Sequence, residues 1–448
     1  MKKKERSRTS TSRRSSGKAA RRGVLVIRAG TLIDGRRRQP VKDVTIVVEG
    51  NKIRSIGRRV QVPGGNAVEI DARDSFVIPG LVDMHVHVEN ERQLELFLEY
   101  GVTTVRDVGN NLRKIKAFKS GVERGKLAGP RIFYAGPLID ALPDKTRKNE
   151  FFPDMNVAVR DEKQAARVAN QLIDQGVDHL KVYQNMPASF IRAVVKEAMK
   201  KGIPVAAHSG IGSTIGEAVE AGISTVEHVH RMATELAPTI AKKPLITGPY
   251  SMMHPWACVN LDSQEVKNLI ELMRRKKVYF DPTLNVVDNL AKTNDPAFLN
   301  DPDFARLDPS ETSKWGEENK VFLENVHEED FEEAGKALKV AQEFVEMAFQ
   351  AGVKIIAGSD NGMPYSVAGK SLHEELRLLT ESGIPEIEVI SAATFNAASA
   401  LGHEKELGSI EAGKLADLLV LKANPLDDIA NTKKISHAIK DGKLVGED

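Results

Sequence analysis

The chain has 448 residues, of which 41% are hydrophobic and 28% charged, which suits one large folded unit with a smaller one beside it and excludes a fibrous or low-complexity protein. Its apolar runs are too short to cross a bilayer, so no membrane partner is expected, and its one cysteine, Cys258, cannot form an internal disulfide, which fits a reducing, cytoplasmic location. The net charge of +2 hides an asymmetry, because residues 1–22 hold ten Lys/Arg and one Glu, a charge of +9, which leaves −7 for the rest.

The Ser/Thr-rich segment 1–22 lacks the apolar stretch of a secretory signal, and Arg13-Arg14 is not followed by one either. It reads as a disordered, solvated basic tail, with contact to an anionic surface or nucleic acid as the alternative. From Gly23 the pattern becomes short alternating strands, VLVIRAG, DVTIVVEGNKI and AVEIDA, parted by turn residues. The same pattern returns in ADLLVLKANP (416–425) and SHAIKDGKLV (436–445). Residues 23–76 and 403–448 are therefore expected to form one β-domain from both termini, with 77–402 as a continuous insertion.

That insertion alternates. FVIPGLVDMHVH opens it, and TTVRDV (103–108), RIFYAG (131–136), HLKVY (179–183), IPVAAHS (203–209), STVEHVH (224–230), VYFDPT (278–283) and KIIAGSD (354–360) follow as strands. Helical patterns such as 161–176 and 187–202 separate most of them, so the fold class is α/β, a (β/α)8 TIM-type barrel with eight parallel strands. Gly101, Gly176, Gly202, Gly222 and Gly352 suit helix C-caps. Residues 284–335 are too long for an ordinary connection and read as a partly helical lid at the barrel mouth, or as a surface insertion without a role in binding.

Barrel sites form at the C-terminal strand ends. There the sequence places His85 and His87, Lys181, His208, His228 and Asp360. His85 and His87 are two apart on one strand, so they share a face and can reach one cation. Isolated buried histidines would each need a partner of their own, and a converging set of imidazoles and a carboxylate is the donor set of a metal, zinc first of all. Lys181 stands among these positions, and its plain reading is a lysine paired with a barrel carboxylate.

On PGLVDMHVH, Lys181 in IDQGVDHLKVY, His208, His228, GSDNG (358–362) and LGSIEAGKLADLLVLKANPL (407–426), the chain resembles the amidohydrolase superfamily from about residue 24 onward. More narrowly it is similar to imidazolonepropionase-like members, which include metal-dependent Xaa-Pro dipeptidases. The resemblance implies that the terminal domain is a β-sandwich. It implies two divalent metal ions, with His85, His87 and Asp360 on one, His208 and His228 on the other, and N6-carboxylated Lys181 and a hydroxide bridging them. The implied reaction is hydrolysis of an amide bond in a dipeptide or N-acyl amino acid, with Asp360 as the proton shuttle.

Three further residues are candidates for substrate contact. Tyr183 shares the face of Lys181 and either donates to the substrate carbonyl oxygen or packs at the rim. His230 follows His228 by two and either supports a ligand or serves an oxyanion; Arg231 either forks onto a substrate carboxylate or stands exposed. The alternative activity is that of a mononuclear-metal deaminase or an imidazolonepropionase-like cyclic-amidine hydrolase. Those relatives carry a Glu three residues after the fifth-strand histidine, and Ile211 stands there. A binding protein on an inactive fold is the third reading, set against six filled ligand positions. The expected partner is a small-molecule substrate, nucleic acid is not expected, and a homo-oligomer stays open.

Overall fold

In the computed structural model, the described residues are 23–63, 67–141, 155–208, 210–237, 254–313, 315 and 326–446. The basic tail 1–22 and residues 314 and 316–325 of the expected lid lie outside them.

The first strands are β1 (Val24–Leu32), β2 (Val41–Glu49), β3 (Lys52–Gly57) and β4 (Ala67–Pro79). Their β-branched residues alternate, so one face buries Ile27, Ile46, Ile70 and Val77. The last strands join them: with β15 (Leu418–Leu421), β16 (Ile435–Lys440) and β17 (Lys443–Leu444) the order is β17-β16-β15-β4-β1-β2-β3. β15 runs antiparallel to β4, with Leu418 opposite Pro79. The sheet curls far enough for Ile53 on β3 to exchange backbone hydrogen bonds with residues just before β15: its N–H donates to Lys414 O (2.9 Å), and its carbonyl accepts from Gly413 N–H (2.8 Å). Leu418, Val420 and Ile439 pack inside that curl with the N-terminal aliphatic residues.

The chain leaves this sheet at Pro79-Gly80. A Cβ at Gly80 would fall 2.3 Å from Thr103 Oγ1, so only glycine lets the two strands approach there. The parallel strands then follow: β5 (Leu81–Val86), β6 (Val102–Asp107), β7 (Arg131–Tyr134), β8 (Leu138–Asp140), β10 (Leu180–Val182), β11 (Val205–Ala207), β12 (Thr225–Glu227), β13 (Tyr279–Asp281) and β14 (Lys354–Ile355). β9 (Asn156–Ala158) is an added strand beside β8. The expected third strand, 131–136, breaks at Gly136-Pro137 and resumes as β8, which pairs with β10. Three hydrogen bonds, at two places, close the ring. Asp178 N–H donates to Tyr134 O at 2.9 Å, and beyond β14 Met84 N–H donates to Ala357 O at 3.0 Å while His87 N–H donates to Asn361 O at 2.7 Å. Eight strand positions thus run parallel around a closed barrel, each followed by a helix, from Glu91–Glu99 after the first to Lys370–Glu381 after the last. The five glycines expected at helix ends all have positive φ, from 67° to 99°.

The segment after β13 begins with a buried helix, Leu284–Ala291, and continues through short turns at Pro296–Leu299 and Pro302–Arg306. It is docked on the barrel. Phe304, Trp315 and Tyr365 pack with ring centroids 5.1–5.9 Å apart, and Glu311 accepts from Asn90 Nδ2 at 2.6 Å. Among the described residues no helix is long and apolar enough to cross a membrane.

Candidate metal centre

The strand ends bring His85, His87, His228 and Asp360 together. His85 Nε2 and His87 Nε2 lie 3.3 and 3.5 Å from the same oxygen, Asp360 Oδ1, and His228 Nδ1 lies 3.7 Å from Oδ2. The ring centroids of His85 and His208 are 4.6 and 4.4 Å from that of His228. His85, His87, Lys181, His208, His228, His230 and Asp360 are all buried.

The partners of these imidazoles fix where their lone pairs point. His85 Nδ1 faces Glu227 Oε2 at 2.7 Å and His87 Nδ1 faces Gly109 O at 2.7 Å; both oxygens can only accept, so each Nδ1 donates. Each Nε2 then turns a lone pair toward Asp360 Oδ1. Two imidazole acceptors and a carboxylate oxygen converge with no donor among them, an arrangement that a cation resolves. A proton on His87 does so in part: burial opposes it, but Asp360, with Asp107 and the Gly109 carbonyl, outweighs the burial and raises the His87 pKa. A metal ion does so for the whole set, and the donor set of imidazole nitrogens and one carboxylate fits zinc. His85, His228 and Asp360 present ligand atoms within 4.8 Å of one another.

Electrostatics keeps the set ready for a cation. Burial, with the Lys181 ammonium behind it, pushes His85 down to about 4. Burial and then the charges nearby hold His208 and His228 well below the ordinary histidine value, so both imidazoles are neutral. Burial opposes ionisation of Asp360, yet His85, His87 and Lys181 together pull its carboxyl down to about 2. Lys181 is pushed to about 8, chiefly by burial. Among the described residues its Nζ has no hydrogen-bond partner; the nearest carboxylate oxygen it pairs with, Glu227 Oε2, is 3.9 Å away.

Backbone strain gathers at the same place. His228, Thr283 and Asp360 have φ of 69°, 47° and 49°, in the left-handed region that side chains other than glycine avoid. This changes one expectation. β12 ends at Glu227, and His228–His230 do not continue it as a strand; Val229–Arg231 form a 3-10 turn. Strand alternation therefore does not place His230, whose ring centroid nonetheless lies 5.0 Å from that of His228. Tyr183 follows β10 and packs on His208, with centroids 4.8 Å apart. Arg231 is partly buried and partnered, not exposed: its Nε donates to His208 Nε2 (3.0 Å) and its Nη2 to Gln184 Oε1 (2.8 Å). A cation on His208 Nε2 thus requires this guanidinium to shift.

Beneath the mouth lies a charged layer that a reading of strand ends alone misses. Asp83, Arg106, Glu227 and Asp281 are fully or almost fully buried. Arg106 Nη2 donates to both Glu227 oxygens at 2.8 Å. Asp83 accepts from Ser359 N–H and Oγ–H, at 2.9 and 2.6 Å, and so ties β5 to the segment that carries Asp360. The signal was present, since Asp83 and His85, like Thr225 and Glu227, obey the alternation that places the ligands.

Known proteins share this frame. The profile described as "Amidohydrolase family" matches residues 76–445. The ochratoxinase of Aspergillus niger is 23% identical over 94% of this chain and 86% of its own length. A solved Xaa-Pro dipeptidase with methionine bound in its active site is 26% identical, with a TM-score of 0.68 over 94% of this chain and 100% of its own. A putative prolidase from Bifidobacterium longum, at 23% identity and TM-score 0.71 over 95% of both chains, shares the fold.

Proposed function

The chain belongs to the amidohydrolase family and is a hydrolase of carbon–nitrogen bonds, and on that premise we propose that it cleaves the amide bond of a dipeptide, Xaa-Pro in kind, or of an N-acyl amino acid. Family members generally bind divalent metals, and here two ions, zinc first, would be held by His85, His87, Lys181, His208, His228 and Asp360. When bound, such ions polarise the scissile carbonyl and activate water.

The observation that carries this reading is Lys181. Its buried Nζ has no hydrogen-bond partner among the described residues, Glu227 is committed to His85 and Arg106, and burial leaves a share of free amine near neutral pH. A free amine adds CO2 and releases a proton, and the resulting N6-carboxylate is an anion suited to bridge two cations. Asp360, ionised and beside the imidazoles, takes a proton from the attacking water and delivers it to the leaving nitrogen as the C–N bond breaks. Tyr183, beside His208, would donate to the carbonyl oxygen, and His230, 6.0 Å from His208 between ring centroids, would either support a ligand or serve the same oxyanion. Arg231 would pair with the carboxylate of the substrate, which would also draw its guanidinium off His208.

A mononuclear-metal deaminase or cyclic-amidine hydrolase is the second reading, and the Arg231–His208 hydrogen bond favours it, because it engages the imidazole a second ion needs. Against it stands Ile211, 58% exposed where such enzymes place a carboxylate. In either case 77–402 serves as the catalytic barrel and 23–76 with 403–448 as a β-sandwich support. A small molecule in the cytoplasm is the expected substrate, and self-association is open. The test is a paired assay of metal-loaded protein whose metal content is measured in the same sample. One arm holds Xaa-Pro and other dipeptides with N-acyl amino acids, the other nucleobases and imidazolone-type rings. Turnover in the first arm with about two ions per chain supports the proposal, and turnover confined to the second overturns it.

A further inference from the structure

We infer that Glu227 is a positioning residue for the metal centre: it fixes the tautomer and the ring angle of His85, and Arg106 holds it in place. The inference rests on the metal reading above and adds residues that the ligand set does not contain.

Glu227 Oε2 accepts from His85 Nδ1 at 2.7 Å. This commits the single proton of a neutral imidazole to Nδ1 and leaves the Nε2 lone pair aimed at Asp360, where Nε2 and Oδ1 are 3.3 Å apart. A carboxylate behind the ring also makes Nε2 a stronger donor to a cation.

Glu227 cannot drift from this position. Arg106 Nη2 donates to both its oxygens at 2.8 Å, and Thr225 Oγ1 donates to Oε1 at 2.5 Å. Arg106 is fixed in turn, by Nε to Met84 O (2.5 Å) and Nη1 to Thr225 Oγ1 (3.0 Å). Met84 immediately precedes His85, so the guanidinium spans the barrel from β6 and braces the backbone of the histidine strand and the carboxylate behind its ring together. Asp281 Oδ2 lies 3.5 Å from Arg106 Nη2, but burial, with Glu227 beside it, pushes its carboxyl well above the usual carboxylate range, so Glu227 is the carboxylate that the guanidinium neutralises.

His85, Glu227 and Asp281 also have the geometry of a cation site of their own. Arg106 already supplies the positive charge there, at 2.8 and 3.5 Å from the two carboxyl groups, so the group is an arginine-filled brace and not a second metal site.

Two double variants remove the orphan guanidinium and differ only in the acceptor behind His85. Arg106→Met with Glu227→Leu leaves Nδ1 without a partner, whereas Arg106→Met with Glu227→Gln keeps a neutral oxygen there. Zinc affinity of chelator-stripped protein is measured by competition with a chromophoric chelator, cobalt absorption reports ligand geometry, and thermal unfolding of the stripped protein reports fold stability. The expected result is a loss of roughly ten- to a hundredfold in affinity for the leucine pair, with a changed cobalt spectrum, and partial recovery for the glutamine pair. Equal affinity and spectra in both pairs and the wild type overturn the inference, because a structural brace alone would move stability and not metal affinity. Should the pairs fail to fold, histidine nitrogen shifts of the wild-type protein decide: an Nδ1-protonated His85 is required, and an Nε2-protonated one ends the proposal. A wild type that takes up no metal would instead end the metal reading, and the tautomer measurement would still judge the role of Glu227.

Discussion

His228 Nδ1 and Thr283 Oγ1 stand 2.9 Å apart, and both residues hold their backbones at positive φ. A β-branched threonine at 47° is a strained residue, worth on the order of 1–3 kcal/mol, and the surrounding barrel must impose it. What it secures is the orientation of the His228 ring. Thr283→Val, which keeps the shape and deletes the hydroxyl, is expected to fold and to lower kcat/KM roughly tenfold or more. Unchanged kinetics in a folded variant would show that packing alone orients His228.

Lys181→Ala is expected to remove metal and activity together, since the proposed N6-carboxylate would go with the amine. Acetate or propionate, which fit the vacated space, are expected to restore part of both. Full activity in the unrescued variant would refute the N6-carboxylate. Bicarbonate should speed reactivation of stripped wild-type protein and leave the alanine variant unaffected.

Glu375 makes stability depend on pH. It is fully buried, with Oε2 accepting from Asn285 N–H at 2.8 Å and Oε1 without a partner among the described residues, and burial raises its carboxyl to about 8. The folded state therefore binds a proton that the unfolded state has released above its ordinary value of 4.5. The stabilisation this gives is complete below that value and is lost as pH rises through about 8. Glu375→Gln keeps the acceptor and cannot ionise. Its thermal stability relative to wild type is expected to grow by roughly 1.4 kcal/mol per pH unit over that window. Parallel pH profiles would mean that Glu375 is not protonated in the fold.

Much of this arrangement could be read from the chain. Alternation along short strands put His85, His87 and Lys181 on inward faces, and Gly-terminated helices between the strands implied the barrel. Three things resisted. The third strand is interrupted at Gly136-Pro137, where the proline reads as an end although pairing resumes two residues on. His228 obeys no period: with Glu227 facing inward to Arg106, alternation would turn His228 out, and its φ of 69° brings it back. Such a turn is imposed by long-range packing and leaves no local mark. The contact of Arg231 with His208 and Gln184 is also tertiary, made by residues 23 and 47 positions away.

That contact yields the last prediction. Arg231 is 3.0 Å from His208 through Nε and 2.8 Å from Gln184 through Nη2, and it is only partly buried, so the guanidinium has further N–H groups for a ligand at the mouth. A charge-assisted pair with a substrate carboxylate contributes roughly 1.5–3 kcal/mol, equivalent to about ten- to a hundredfold in kcat/KM. Arg231→Gln is expected to lose that factor on a dipeptide with a free C-terminal carboxylate and almost nothing on its C-terminal amide. Because the same change frees His208 Nε2, metal occupancy should hold or rise. If both substrates lose activity equally, Arg231 serves His208 and not the substrate. If only the carboxylate substrate suffers, while the metal content is unchanged, the residue that touches His208 is also the one that selects what the barrel cleaves.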